Sequence, residues 1–312
     1  MNIDARITSG HIRSLTWQPL GQASIDAEPL IAFTGRADRE VRICKILERG
    51  KSSNIEYSLK TTRDLTPRVI KFISPEELLI TNDQKFKARV LIYNVETGTP
   101  KYFNSLGGKE LFRADFVVSN ANQFTVAFDG GNIATLDKRS KELSSQARLN
   151  NSCVGLGWNS EGTLLFAGDE RANLYQFDAR MMTKCINRVQ LDTISSMSSF
   201  AANGEKLMAC GSPFGTVDIV DTETWKPVTS FDKLVTAVNR VRFHPVQKTM
   251  LLASSRDKRN AVRVYECDSG RTLAGWPTEN EPLGRIRETE FSDCGRFVAI
   301  GCKSGRVQLY AL

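Results

Sequence analysis

One short string of residue types returns seven times along this chain, and its spacing limits the possible folds more than any other feature. The string is essentially apolar, any residue, apolar, apolar, often followed by Asp, Asn or Glu. It reads VRICK at Val41–Lys45, VLIYN at Val90–Asn94, IATLD at Ile133–Asp137 and LYQFD at Leu174–Asp178. It continues as VDIVD at Val217–Asp221, VRVYE at Val262–Glu266 and VQLYA at Val307–Ala311. The copies begin at 41, 90, 133, 174, 217, 262 and 307, giving steps of 49, 43, 41, 43, 45 and 45 residues. An aromatic before a polar turn keeps the same beat, at Trp17, Phe72, Phe116, Trp158, Phe200, Phe243 and Phe291. The longest step in that second series falls in the first unit, where Gly21–Pro29 reads as a loop insertion.

A period of about 40–45 residues is that of WD40 blades. The last unit shows three strands, RIRETEF (Arg285–Phe291), RFVAIG (Arg296–Gly301) and RVQLYAL (Arg306–Leu312), joined by the turns SDCG and CKSG. Turns of this composition supply the backbone conformations that tight hairpins need. Strands such as LLFAG (Leu164–Gly168) are apolar at nearly every position, as strands covered on both faces are. The reading is therefore an all-β chain, a seven-bladed WD40-type β-propeller forming a single domain over residues 1–312. The 312 residues would otherwise suggest two domains, but blades that pack only on their neighbours escape the size limit of one core. The chain stops after the third strand of the seventh unit. The strand around Asn2–Thr8 is expected to pair with that last blade, closing the ring, hiding its edge and leaving the chain complete at both ends.

Gly168, Gly211 and Gly301 share one repeat position after the second strand, with Ser254 and Thr34 near the equivalent place. Crowding or a positive φ would explain small residues there.

The parts of a catalytic or metal site are missing. Only two histidines occur, His11 and His244, and the seven cysteines form no CxxC pair, so a zinc site is not expected. Scattered thiols read as reduced and intracellular, and Cys210 as a small buried side chain. His244 in RFHP reads as a turn residue. His11 follows Gly10 like the Gly-His pair of WD40 repeats, where the ring bonds within its own blade. Asp137, Asp178 and Asp221 follow third strands and read as turn-formers. No phosphate loop, HExxH, GxSxG or EF-hand loop is present. The chain reads as no enzyme, with no cofactor, no metal and no small-molecule substrate. No run of 18 apolar residues and no basic start followed by an apolar stretch occurs, so neither a membrane span nor a secretory signal is expected.

Charge points to partners. The net charge is +7. The loops joining second and third strands lie on one face of a propeller. They hold Arg36, Arg39, Lys85, Lys87, Arg89, Arg171, Arg256, Lys258, Arg259, Lys303 and Arg306 against Asp38, Glu40, Asp83, Asp169, Glu170 and Asp257. That excess makes a basic arc, suited to RNA phosphates or an acidic peptide. Lys85, Lys87, Arg89, Arg256, Lys258, Arg259, Lys303 and Arg306 are the expected contact residues. Aromatic interleaving is lacking, so phosphate contact without base stacking is the expected mode.

Several segments carry a resemblance. LVTAVNRVRFHP (Leu234–Pro245), LLASSRDKRNAVRVYE (Leu251–Glu266), GWPT (Gly275–Thr278) and PLGRIRETEFSDCGRFVAIGCKSGRVQLYAL (Pro282–Leu312) resemble the U3 small nucleolar RNA-associated protein 18 family. EGTLLFAGDERANLYQFDAR (Glu161–Arg180) and KLMACGSPFGTVDIVD (Lys206–Asp221) do so less specifically, so the likeness covers roughly residues 150–312. The RDKRNA hairpin of the sixth unit is its most specific part. The resemblance implies a WD40 subunit of the small-subunit processome, without catalytic residues, in the nucleus and nucleolus. Its implied partners are other WD40 and helical-repeat processome subunits, with pre-rRNA and U3 snoRNA. The family's charged N-terminal extension, which recruits an exosome-linked helicase, is not expected here. LFRAD (Leu111–Asp115) resembles the recruiting motif, but it leads into a strand and is not expected to act as a flexible peptide. The competing readings are a generic WD40 peptide-binding adaptor, such as a ubiquitin-ligase substrate receptor or signalling platform, and a propeller enzyme. The adaptor would grip one motif in an axial pocket, and the enzyme would gather ionisable groups there.

Overall fold

The computed structural model describes residues 3–6, 10–19, 30–36, 40–45, 55–60, 67–82, 90–103, 105–106, 109–110, 114–120, 122–140, 142–273, 276 and 282–312. The protein is an all-β, seven-bladed β-propeller. Each blade is a four-stranded antiparallel sheet, and in blades one to six the spatial order follows the chain. The third strands are Glu40–Lys45, Val90–Asn94, Asn132–Asp137, Asn173–Asp178, Val217–Asp221, Val262–Glu266 and Arg306–Ala311. All seven copies of the recurring string lie in these strands. The seventh sheet runs Ile286–Phe291, Phe297–Cys302, Arg306–Ala311 and then Ile3–Arg6, with Ile3 opposite Leu309 and Arg6 opposite Arg306.

The chain divides into two compact units, residues 1–114 with 286–312, and residues 115–285. The first holds blades seven, one and two. Its apolar layers join Ile12, Leu15, Trp17 and Phe33 to Ala299, Val307 and Leu309, and Val41 and Ile43 to Ile70, Phe72, Leu78 and Ile80. The second unit holds blades three to six, with equivalent layers such as Phe166 and Leu174 against Phe200, Met208 and Cys210. Cys210 is fully buried, and burial pushes its thiol up.

Neighbouring blades also meet through hydrogen bonds. The first strand of a blade has a ladder partner on one side only, so its other edge leaves backbone groups to satisfy. Ser14 of blade one accepts from the Ile70 amide of blade two at 3.1 Å, and Thr16 accepts from the Phe72 amide at 3.3 Å. Ser199 of blade five donates to the Val238 carbonyl, next to blade six, at 2.8 Å.

The second-strand residue paired with the first position of the recurring string is small in blades two to seven: Thr81, Ala127, Gly168, Gly211, Ser254 and Gly301. Crowding is the cause, since none of the three glycines has a positive φ. A Cβ on Gly211 would stand 2.7 Å from Val238 Cγ1, and one on Gly301 would stand 2.5 Å from Ile12 Cγ2. Val238 and Ile12 belong to the chain entering or forming the neighbouring blade, and at Gly211 the Ser199 Oγ of its own blade is nearer still, at 2.3 Å. The aromatic beat is less regular than the string. Trp17, Phe72, Trp158, Phe243 and Phe291 end their first strands, whereas Phe116 and Phe200 sit inside Ala114–Ser119 and Ser199–Ala202. In blade five the terminal slot is held by Ala202, whose Cβ would lie 2.7 Å from a Cβ on Gly157 of blade four.

Gly211→Val should therefore cost about 1–3 kcal/mol. Urea unfolding measures it, and an unchanged midpoint would remove the crowding argument.

Candidate partner interface

In an antiparallel four-stranded blade, the turn between strands two and three and the connection to the next blade leave from the same end. Each unit thus gathers hairpin tips and blade connections along one rim. Lys85, Lys87, Arg89 and Arg39 lie outside the described residues; the other predicted contacts can be placed.

In the first unit a histidine ties two tips together. The His11 carbonyl accepts from the Arg36 amide at 2.8 Å, in its own blade. Its Nδ1 donates to the Lys303 carbonyl at 2.9 Å, in the tip of blade seven. The ring bond crosses to the neighbouring blade, where sequence predicted one within blade one. Arg36 is exposed, Lys303 half-buried and Arg306 exposed. Gly305 takes φ +80° in that tip, the conformation a tight hairpin demands.

In the second unit the tip of blade four is built on a buried carboxylate. Asp169 is fully buried. Its Oδ1 accepts from the Arg171 amide at 2.9 Å, and from the Asn173 amide and Nδ2 at 3.0 and 2.9 Å. Its Oδ2 accepts from Asn151 Nδ2 at 2.8 Å and from the Tyr175 hydroxyl at 2.9 Å. Burial works against the charged form, but the bonds from Asn151, Asn173 and Tyr175 outweigh it and hold the carboxyl below its usual range. Burial and the Asp169 carboxylate push the Tyr175 hydroxyl up to about 12. The guanidinium of Arg188 covers the Tyr175 ring at 5.6 Å and donates to Asn173 Oδ1 at 3.1 Å. Asp169 is therefore a structural anion inside the tip rather than surface charge. Arg171 beside it is exposed.

Blades five and six complete this rim. The tip Ser212–Thr216 and the tip Ser255–Ala261 both clamp the connection between the blades. The Val238 amide donates to the Ser212 carbonyl at 3.0 Å, and the Arg256 amide to Asn239 Oδ1 at 2.8 Å. Thr236 and Ser255 hydroxyls pair at 2.7 Å. On its far side the blade-six tip holds the next connection. Asn260, at φ +55°, donates its amide to the Gly284 carbonyl at 2.9 Å and accepts from the Leu283 amide at 2.8 Å. Lys258 and Arg259 are exposed, while Arg256 is half-buried.

Sequence missed the apolar part of this rim. Phe214, in the blade-five tip, is 73% exposed, and Val235, in the adjoining connection, is 78% exposed. A Phe in a turn reads the same whether it points inward or outward, so no signal in the sequence could mark it.

The predicted turn residues behave as turns. Asp137, Asp178 and Asp221 each accept backbone amides two or three residues ahead, and His244 Nδ1 accepts from the Gln247 amide at 2.8 Å. Among the described residues no group of three His, Cys, Asp or Glu side chains could hold a metal ion, and no helix is long and apolar enough to cross a membrane. A polar groove of about 420 Å³ opens between blades three and four on the opposite rim, lined by Asn120, Gln123, Glu161, Thr163 and Arg180 among others.

No family model matches the chain. It is similar to a U3 small nucleolar RNA-associated protein 18 homolog from Mus musculus, 27% identical over 57% of this chain and 33% of the relative. The Arabidopsis thaliana homolog is 23% identical over 94% of this chain and 54% of its own length. The probable Schizosaccharomyces pombe protein of that name is 23% identical over 91% and 55%. The likeness thus reaches well beyond the predicted residues 150–312. The chain spans about half or less of the length of these relatives.

Because Asp169 titrates below its unfolded value of 3.8, its contribution to stability is full above that pH and fades as pH falls through and below it. Asp169→Ala should cost about 2–3 kcal/mol at pH 7, by losing hydrogen bonds to a charged acceptor. In urea titrations the gap between variant and parent should narrow on acidification; a gap independent of pH would contradict this account.

Proposed function

Since the chain belongs to the U3 small nucleolar RNA-associated protein 18 family, we propose that it is a non-catalytic scaffold of the small-subunit processome, acting in pre-18S rRNA processing in the nucleolus. The observation that carries this reading is a likeness that runs across nine-tenths of the chain in two of the relatives, spanning the blades rather than one motif. Its partners are other WD40 and helical-repeat subunits, together with pre-rRNA and U3 snoRNA. They are gripped through tips bearing Lys85, Lys87, Arg89, Arg256, Lys258, Arg259, Lys303 and Arg306. The net charge of +7 and the exposure of Lys258, Arg259 and Arg306 support that choice.

Residues 1–312 act as one domain in this reading, closed by the N-terminal strand. The antiparallel register of Ile3–Arg6 on Arg306–Ala311 supports the closure.

Affinity purification with RNA sequencing and mass spectrometry tests the assignment. U3 RNA and many processome proteins should be recovered, and combining Lys258→Glu with Arg259→Glu should reduce them without changing the melting temperature. A few unrelated proteins and no RNA would favour the adaptor reading instead. Closure predicts one cooperative urea transition, whose midpoint falls when residues 1–8 are removed. Two separate transitions, or an unmoved midpoint, would refute it.

A further inference from the structure

The rim of blades five and six carries an apolar pair beside exposed cations, a combination that the scaffold reading leaves unexplained. Phe214 and Val235 are both about three-quarters exposed. Their backbones are pressed together: a Cβ on Gly215 would stand 1.7 Å from the Leu234 carbonyl oxygen, so only glycine lets the tip lie on the connection. Val235 is then followed by Thr236, whose hydroxyl pairs with Ser255, and Ser255 opens the tip that carries Lys258 and Arg259. A short path, closed by that side-chain hydroxyl pair, therefore joins the apolar pair to the cations. Lys233 adds a further cation, its ammonium 3.7 Å from Asp232 with both side chains largely exposed.

Large apolar side chains are seldom left bare in adjoining segments of a rigid surface unless something covers them. Phe214 is the sole exposed aromatic in the group of exposed large hydrophobics among the described residues. The charge around the pair decides what would cover it. Guanidinium and ammonium groups attract carboxylates, and an Arg binds them in a two-pronged fashion. A base-stacking platform for nucleic acid needs successive flat faces, and the branched aliphatic Val235 offers none. An apolar anchor flanked by carboxylates matches both halves of the surface, in the manner of acidic linear motifs.

We propose that the rim of blades five and six is a docking site for an acidic peptide segment that seats an apolar side chain on Phe214 and Val235, with its carboxylates on Lys258, Arg259 and Lys233. The proposal rests on the scaffold reading only for the presence of a partner; the chemistry of that partner comes from this surface. Such a peptide would be bound by a few anchor contacts, with the cations setting orientation and rate of encounter.

The test uses the full chain and an array of synthetic peptides of about twelve residues. Asp and Glu flank two central positions that carry Phe, Leu, Ile, Trp or Ser. Peptides with an apolar centre should bind, those with Ser should bind at least about tenfold more weakly, and basic-flanked controls should not bind. Phe214→Ser with Val235→Ser should lower the affinity about tenfold or more, and Lys258→Glu with Arg259→Glu should abolish it, with circular dichroism unchanged. No binding by any apolar-centred acidic peptide at about 100 µM would overturn the proposal. So would equal binding by the Ser peptides, or a uridine-rich single strand that binds more tightly and loses affinity on Phe214→Ser. Recovery of U3 RNA with the Phe214→Ser, Val235→Ser protein separates the outcomes. If it persists while peptides fail, only the docking proposal falls; if it is absent from the parent protein while peptides bind, only the scaffold reading falls.

Discussion

Blades can stack only where one sheet lets the next come close, and here a small residue at one second-strand position recurs to permit that approach, joined in blade four by Gly155 and Gly157. The residue opposite the start of the recurring third-strand string carries little or no side chain. At Gly211 the space a Cβ would need is taken by Ser199 and Val238, and at Gly301 by Ile12 of the neighbouring blade. The apolar layers, the hydroxyl bridges from Ser14 and Thr16 and the placement of every tip assume that approach. Dispersion and burial reward such contact only at full packing density, which is why the slot admits Thr, Ala, Ser or Gly and nothing larger in the recorded pairings.

The tips proposed for recognition are also held by buried hydrogen bonds. Asp169 accepts from backbone amides and neighbouring side chains, and Asn260 engages the backbone at Leu283 and Gly284, fixing tips that read from sequence alone as solvent-facing polar loops. The cost of burying a carboxylate is offset by the five donor atoms around it. Beside these fixed tips stand the exposed Arg171, Lys258 and Arg259, while the other unit exposes Arg36 and Arg306 at its own tips.

The third strands were legible because each is apolar on both faces and paired on both edges, leaving a dense apolar signature that repeats with the sheet. The aromatic beat was legible only to within three residues. Side chains two apart face the same side of a strand, so Phe200 fills core from a place where Ala202 holds the terminal slot. The ring of His11 reaches a carbonyl 292 residues away; no local pattern reveals that partner, because the two ends must first be known to be neighbours. The charge at the tips was visible as composition, but not the burial of Asp169 or the half-burial of Arg256 and Lys303. Phe214 escaped notice because a hairpin Phe has no sequence mark for orientation.

The double tether of His11 has a consequence for whatever touches that rim. Its carbonyl holds the Arg36 amide and its ring holds the Lys303 carbonyl, so those two points are fixed before any encounter. A ligand spanning both would not have to freeze them, and the entropy ordinarily lost on immobilising loops is already spent in folding. Residence time there would follow the strength of the final contacts, not the pace of loop rearrangement.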